Sequence, residues 1–310
     1  MKVITVCEAD WCNVGYNVAK ALNTIGINAQ AYKAYPHSFN YKEHGTVVSK
    51  NDLSRKVKEA DIVIIMNSNY YCLELCKYHN KKNVYVYHTG TDYRRNPKQH
   101  NEDFNPYIKR AFTDQTEFIG LGMKDECYLF TPIDTNRFCP IGFELKSPML
   151  LAHYPSNPIV KGTDEINKVI TKLLCDNGKI FNYKCSTKKV GHEDQIQRMR
   201  DCDVYIELFA PTNEGNKYGC FGVTAVEAAS LGKLVVTNHT TPEVYEQFYG
   251  IRTPFVTPQT ISEMYDMINS IIHSKDTEKR KIASREWAVK YHSFKATSIV
   301  TGKQIGRAHV

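Results

Sequence analysis

Tyr218–Asn238 reads YGCFGVTAVEAASLGKLVVTN, and its pattern decides the fold class. Small and aliphatic residues fill a helix-length run after Phe221-Gly222. Gly232 follows, where a helix commonly ends in the left-handed conformation. KLVVTN is then a short apolar run bounded by polar residues, the mark of a strand buried on both faces. Gly219 and Gly222 let the backbone turn and approach a ligand closely. The free amides at the start of the helix favour a phosphate. One carboxylate, Glu227, stands inside this small-residue segment. It can accept two hydrogen bonds from a sugar diol, or it can face solvent on a helix, which glutamate forms readily.

The same alternation continues on both sides. VITVCEA reads as a strand, and VGYNVAKALNTIG places Val14, Val18, Ala21, Leu22 and Ile25 at helical spacing, with Gly26 as a stop. INAQAY, ADIVIIMNSN and NVYVYHTG are further strands, with the helical segments NDLSRKVKEA and YYCLELCKYH between the last three. In the second half PMLLAHYP, KIFNYKC and DVYIELFA precede KLVVTN as strands. TDEINKVITKLL, EDQIQRMRDC and ISEMYDMINSIIHS are helices, the first with Thr163 or Asp164 as its N-cap. Strand–helix alternation argues for parallel sheets covered on both faces. Pro132, Pro140 and Pro148 mark a linker. The expected organisation is a two-domain α/β protein, residues 1–140 and 141–284, with a last helix within 285–303 that contains SREWAVKYHSF. Ligands of open α/β sheets sit beyond the carboxyl ends of the strands, so the cleft between domains is the expected site. Residues 305–310, IGRAHV, carry no structural signal and match the translation of a common sequencing-adapter oligonucleotide. They read as a non-native tail or a frayed terminus.

Composition narrows the function. The chain has 310 residues, 42% hydrophobic and 24% charged, an ordinary globular balance. Its ten cysteines are scattered without a CxxC pair, which suits reduced thiols better than a disulfide framework or a metal site. The net charge of +7 suits a protein that handles phosphates or touches acidic membrane surfaces, and does not by itself indicate nucleic acid. The apolar runs are too short to span a bilayer, and the N-terminus lacks the pattern of a secretory signal. A cytoplasmic protein, at most membrane-associated, is expected. Most of the twenty tyrosines fall in strands and helices, where they serve packing.

A second stretch, AHYPSNPIVKGTDEI (152–166), ends a strand, crosses a polar loop and enters a helix at Lys161-Gly162. Lys161 either meets a phosphate as a point charge or is a solvated loop lysine. In this order the two stretches resemble the retaining glycosyltransferases of the large group 1, family 4-like class. That family has the GT-B fold, two Rossmann-like domains with parallel sheets facing a central cleft. PSN…KGTD is similar to its donor-phosphate loop, and FGVTAVEAASLGKLVV to its FG…EA.A.G.PVV signature. YHTGTDYRR and TPIDTNRFCP match more loosely.

The resemblance implies transfer of a sugar from a UDP-, GDP- or ADP-sugar to a hydroxyl of a glycan, lipid or protein acceptor. It implies retention of configuration and no obligatory metal or other cofactor. Glu227 would hold the ribose hydroxyls and Lys161 would neutralise the diphosphate. Ser156, Gly222, Val223 and Thr224 would line the phosphates and sugar, and Val190 and Gly191 the base. His88 would face the donor sugar as a stabilising group, and Gly15 would lie in a loop over the diphosphate. The first domain would take the acceptor, and the last helix would cross back to it. Two departures stand out. The family's second glutamate, eight positions before Glu227, is replaced here by Gly219, with Glu214 as the candidate substitute. The arginine that pairs with the lysine has its counterpart at Pro158. Asp92 and Arg94 either reach an acceptor or pair with each other. His153 and His192 read as hydrogen-bonded structural residues. Lys161→Ala is expected to lose donor turnover with the fold intact. Two alternatives stay open: a nucleotide-sugar epimerase on the same fold, and a non-catalytic module that binds sugar nucleotides or glycans.

Overall fold

The computed structural model describes residues 1–306 apart from residues 211, 214, 239 and 240. The chain divides into two compact units: Met1–Asp134 together with the segment from Tyr291, and Thr135–Lys290. The first division falls inside the proline-marked segment.

The first unit runs β1 (Lys2–Cys7), α1 (Val14–Asn23), β2 (Asn28–Lys33), β3 (Thr46–Val47), α2 (Lys50–Glu59), β4 (Ile62–Met66) and α3 (Tyr70–Tyr78). It continues through β5 (Val84–His88), α4 (Gly90–Arg95), α5 (Pro97–Phe104), β6 (Arg110–Thr113) and β7 (Cys127–Tyr128). The strands form a parallel sheet in the order β3-β2-β1-β4-β5-β6-β7, with Val3 opposite Ile62 across β1 and β4. Aliphatic strands explain it: IVIIM in β4 is buried throughout, as a central strand covered on both faces must be. Leu53, Val57, Leu73 and Phe104 from the helices complete a core with Ile4, Val63, Ile65 and Val86. Ser49 and Asn69 cap α2 and α3 through the amides of Asp52 and Cys72. Pro97 opens α5 at a position where a missing amide costs nothing.

The second unit holds β8 (Met149–His153), α6 (Thr163–Asn177), β9 (Phe181–Cys185), α7 (His192–Arg200), β10 (Val204–Leu208) and a small hairpin of β11 (Thr212–Asn213) and β12 (Asn216–Lys217). It then runs through α8 (Val223–Ser230), β13 (Leu234–Thr237), α9 (Pro242–Tyr249), α10 (Ile261–His273) and α11 (Thr277–His292). Its four main strands are parallel in the order β13-β10-β8-β9. Leu151, Val204, Ile206 and Leu234 meet Ile166, Ile170 and Leu173 of α6 and Met264 and Ile268 of α10 in its core. The buried Lys281 ammonium lies 3.2 Å from Asp203, whose other oxygen accepts from the Leu150 amide at 2.9 Å. Arg285 donates to the carbonyls of Thr135, Phe138 and Ser230, which ties the end of α8 to the chain entering the unit.

The returning segment carries α12 (Phe294–Gln304), capped by Ser293. It belongs to the first unit. Ile133 donates its amide to the His292 carbonyl at 2.9 Å, and Gly302 lets α12 approach Ile25, since a Cβ there would lie 2.9 Å from that side chain. Among the described residues no helix is long and apolar enough to cross a membrane, and no group of three His, Cys, Asp or Glu side chains is placed to hold a metal ion.

Candidate functional site

Strand order in the second unit reverses between β8 and β10, the place where open α/β sheets present their ligand crevice. The loop after β8 carries Lys161, and the segment after β10 leads to Gly222. Asn157 organises the first loop: its carbonyl accepts from the Lys161 amide at 3.0 Å, and its Oδ1 from the amides of Ile159 and Val160 at 3.2 and 3.3 Å. The Phe209 amide donates to the Lys161 carbonyl at 3.0 Å, which fastens the loop to the end of β10. The cap of α6 is Gly162 at φ 67°, not the side chain of Thr163 or Asp164. The reason is close backbone packing: a Cβ on Gly162 would lie 1.8 Å from the Phe209 carbonyl oxygen. Gly162→Ala is therefore expected to destabilise the fold by about 2–4 kcal/mol, the sum of left-handed strain and overpacking. Chemical denaturation compared with wild type measures it, and an unchanged midpoint would contradict the packing argument.

Thr163 spends its hydroxyl elsewhere. His153, fully buried on β8, has Nδ1 2.8 Å from the Ile206 carbonyl and Nε2 2.9 Å from Thr163 Oγ1. The carbonyl can only accept, so Nδ1 carries the proton and Nε2 accepts from the threonine hydroxyl. Burial lowers the His153 pKa to about 4, so the ring is a neutral staple across β8, β10 and α6.

Lys161 has a partner that the sequence did not reveal. Its ammonium is paired with Glu207, whose side chain is 0% exposed against 13% for the lysine. Glu207 stands where the register of β10 against β13 shifts, with Ile206 opposite Val236 and Leu208 opposite Thr237. The carboxylate accepts from Thr237 Oγ1 at 2.9 Å, Thr224 Oγ1 at 3.3 Å and the Gly222 amide at 3.5 Å. Gly222 is small because of this contact: a Cβ there would stand 2.8 Å from Glu207 Oε1 and 3.3 Å from Lys161 Nζ. Tyr205 is buried as well, and burial, then the Glu207 carboxylate, hold its phenol well above the ordinary range. Lys161, Gly222 and Thr224 are thus brought together around one buried carboxylate, beside Val223 as the first residue of α8. Removing the lysine alone would leave that carboxylate uncompensated. Lys161→Ala is on this ground expected to cost stability as well as turnover.

Glu227, on α8, is buried, and its Oε1 is 2.9 Å from Nε2 of His192, the first residue of α7. Gly191 is the N-cap of α7, and Val190 precedes it, both half-buried. The expected ribose and base residues therefore adjoin. Ser156 is exposed in the lysine loop, and the Pro158 carbonyl accepts from the Thr163 amide at 3.0 Å as part of the turn. Gly219 is buried, and its carbonyl accepts from Thr241 Oγ1 at 3.4 Å. Glu214 lies outside the described residues.

The remaining candidates lie in the first unit. Gly15 was expected in a loop over a diphosphate, but its amide is already donated to Asp10 Oδ1 at 2.8 Å, and Tyr16 gives its amide to Oδ2 at 2.9 Å. A buried carboxylate thus satisfies the start of α1, and desolvation raises its pKa. His88, at the end of β5, is 0% exposed, 4.3 Å from the Tyr93 ring and 5.6 Å from that of Phe104. Its Nδ1 lies 2.7 Å from Ser68 Oγ, and its Nε2 has no hydrogen-bond partner among the described residues. Burial, then the neighbouring His100, lower its pKa to about 3, so the ring is neutral. Arg94 does not pair with Asp92: its guanidinium is buried 2.6 Å from Glu117 and lies over the Phe118 ring, while Asp92 is exposed.

No family model matches the chain, and no curated protein does. Solved structures do, over almost its whole length. HepE of Anabaena, in complex with UDP and glucose, superposes with a TM-score of 0.68 at 12% identity, covering 98% of this chain and 99% of that one. An α-glucosyltransferase in complex with UDP and a 13-mer DNA gives 0.71 at 10% identity, with 98% of each chain covered. Sucrose-phosphate synthase of Thermosynechococcus elongatus gives 0.64 at 11% identity, again with 98% of each covered. Likeness at these identities establishes the architecture: the chain has the GT-B fold, two Rossmann-like α/β units with parallel sheets.

Proposed function

We propose that this chain is a glycosyltransferase that moves a sugar from a nucleoside-diphosphate sugar to an acceptor hydroxyl, with retention of configuration and without an obligatory metal. The observation that carries the reading is the convergence of Lys161, Gly222 and Thr224 at the β8/β10 switch point, less than two helical turns from Glu227 on α8. UDP complexes of structures with the same fold support it. In this reading Lys161 and the first amides of α8 offset the charge that develops on the departing diphosphate, a preorganised electrostatic task that needs no acid or nucleophile from the protein. Glu227, oriented by His192, accepts from the ribose hydroxyls. Val190 and Gly191 border the base, and Ser156 and Val223 border the phosphates and sugar. His88 keeps the role the resemblance implies for it, a group that stabilises the donor sugar.

A second reading, a sugar-nucleotide-binding module without turnover, is favoured by two observations. Gly219 stands where the resembled family has a glutamate, and Pro158 contributes only a turn carbonyl. One experiment separates the two. Full-length protein is incubated with UDP-, GDP- and ADP-sugars, and release of nucleoside diphosphate is measured with calorimetric binding in parallel. Release with retained anomeric configuration is the expected result. Binding without release leaves the module, and interconversion of sugars without release would identify an epimerase.

A further inference from the structure

We infer that Glu207 is a specificity-determining residue of the donor site: its carboxylate makes the phosphate position discriminate against a free terminal phosphate and favour the same phosphate esterified to a sugar. The inference rests on the donor reading above. Among the described residues four groups donate to this carboxylate: Lys161 Nζ, Thr224 Oγ1 at 3.3 Å, the Gly222 amide at 3.5 Å and Thr237 Oγ1 at 2.9 Å. Lys161, Thr224 and Gly222 belong to the segments assigned to the diphosphate. A phosphate sharing those groups comes within a few ångströms of a second anion. The carboxylate is fully enclosed and held from below by Thr237, so repulsion at that range is weakly screened by salt. The missing side chain at Gly222 leaves the room for this contact, since a Cβ there would stand 2.8 Å from Glu207 Oε1.

The two phosphates differ in charge. In the donor, the terminal phosphate is a diester with one negative charge. On transfer, the bond between the anomeric carbon and the phosphate oxygen breaks with its electron pair on that oxygen. The acceptor oxygen forms the new bond to that carbon and passes its proton to the departing phosphate oxygen, from which it ionises to solvent. The phosphate left behind is a terminal group whose second ionisation falls near pH ~6, so at neutral pH it carries close to two charges. Glu207 therefore penalises product more than donor, which lowers product inhibition and speeds release. A residue that only held Lys161 in place would weaken or strengthen both ligands together.

The test uses full-length wild type and Glu207→Gln, titrated calorimetrically with UDP and with the methyl ester of its terminal phosphate. The ester removes the charge difference without adding a sugar. Wild type is expected to bind the ester at least as tightly as UDP. Glu207→Gln, the same shape without the charge, is expected to shift the ratio toward UDP by about tenfold or more. An equal ratio in both proteins overturns the inference. Should the variant not fold, wild type alone decides: UDP binding tenfold tighter than its ester also overturns it. If wild type binds none of UDP, GDP and ADP, the donor reading itself falls, and this inference with it. Binding with an unmoved ratio removes only the role of Glu207.

Discussion

Lys161→Ala is expected to lose about 3–5 kcal/mol of stability along with its activity, because it breaks a buried pair from one side only. Glu207 would remain inside, with two threonine hydroxyls and one long amide contact in place of a cation. In a unit of this size that loss lowers the melting temperature by on the order of 10 °C. The activity loss by itself is therefore ambiguous. Lys161→Met combined with Glu207→Gln resolves it. Both charges are then gone and the volumes are kept, and such replacements of buried pairs are often neutral or stabilising. The double variant is expected to recover most of the melting temperature and none of the turnover, which should stay about 100- to 1000-fold below wild type, the usual cost of removing one charge-stabilising group. Thermal denaturation and donor release measured on the same preparations give both readouts. Near wild-type turnover in the double variant would mean that Lys161 is a structural cation and that the phosphate is held elsewhere.

That pair also marks where the sequence stops being readable. The strands of both sheets are legible because parallel strands buried on both faces are short, continuous apolar runs; IVIIM and LVVT could hardly be anything else. Helices α1, α6 and α10 are legible from apolar residues at helical spacing. Strands β6 and β7 are four and two residues long, too short to carry a period, and α4 and α5 meet at Asn96 without a loop between them. Within the candidate site, Lys161 and Gly222 stand out through the family resemblance, while by residue type alone a lysine before glycine also reads as a solvated loop residue. Glu207 could not. A glutamate in DVYIELFA reads alike whether its side chain faces solvent or the core, and the groups that hold it inside, on Lys161, Gly222, Thr224 and Thr237, come from other segments of the chain. The same holds for Asp10, which takes the amide of Gly15, the residue expected in a loop over the diphosphate, and for Glu117, which pairs with Arg94 where Asp92 was a candidate. Each is a carboxylate whose partner is chosen by topology.

Glu227→Ala is expected to weaken donor binding by about 2–4 kcal/mol, roughly 30- to 1000-fold, as two charge-assisted hydrogen bonds to a ribose are lost. The geometry also allows a plainer role, since the carboxylate already has a buried partner in His192, 35 residues away along the chain. In that case the pair would merely fasten α7 to α8. Glu227→Gln separates the two roles. An amide can keep a hydrogen bond with the imidazole and hold the helices together, yet it accepts less strongly from a diol. Its melting temperature should stay near wild type while donor affinity falls by about tenfold. The decisive comparison uses the sugar hydroxyls themselves. Wild type should bind UDP much more tightly than 2′,3′-dideoxy-UDP, because the deoxygenated ribose leaves Glu227 without those partners. In Glu227→Gln that preference should shrink, and in Glu227→Ala it should disappear. A fastening role predicts another pattern: a lower melting temperature in Glu227→Ala alone, with the preference for the intact ribose unchanged in both variants.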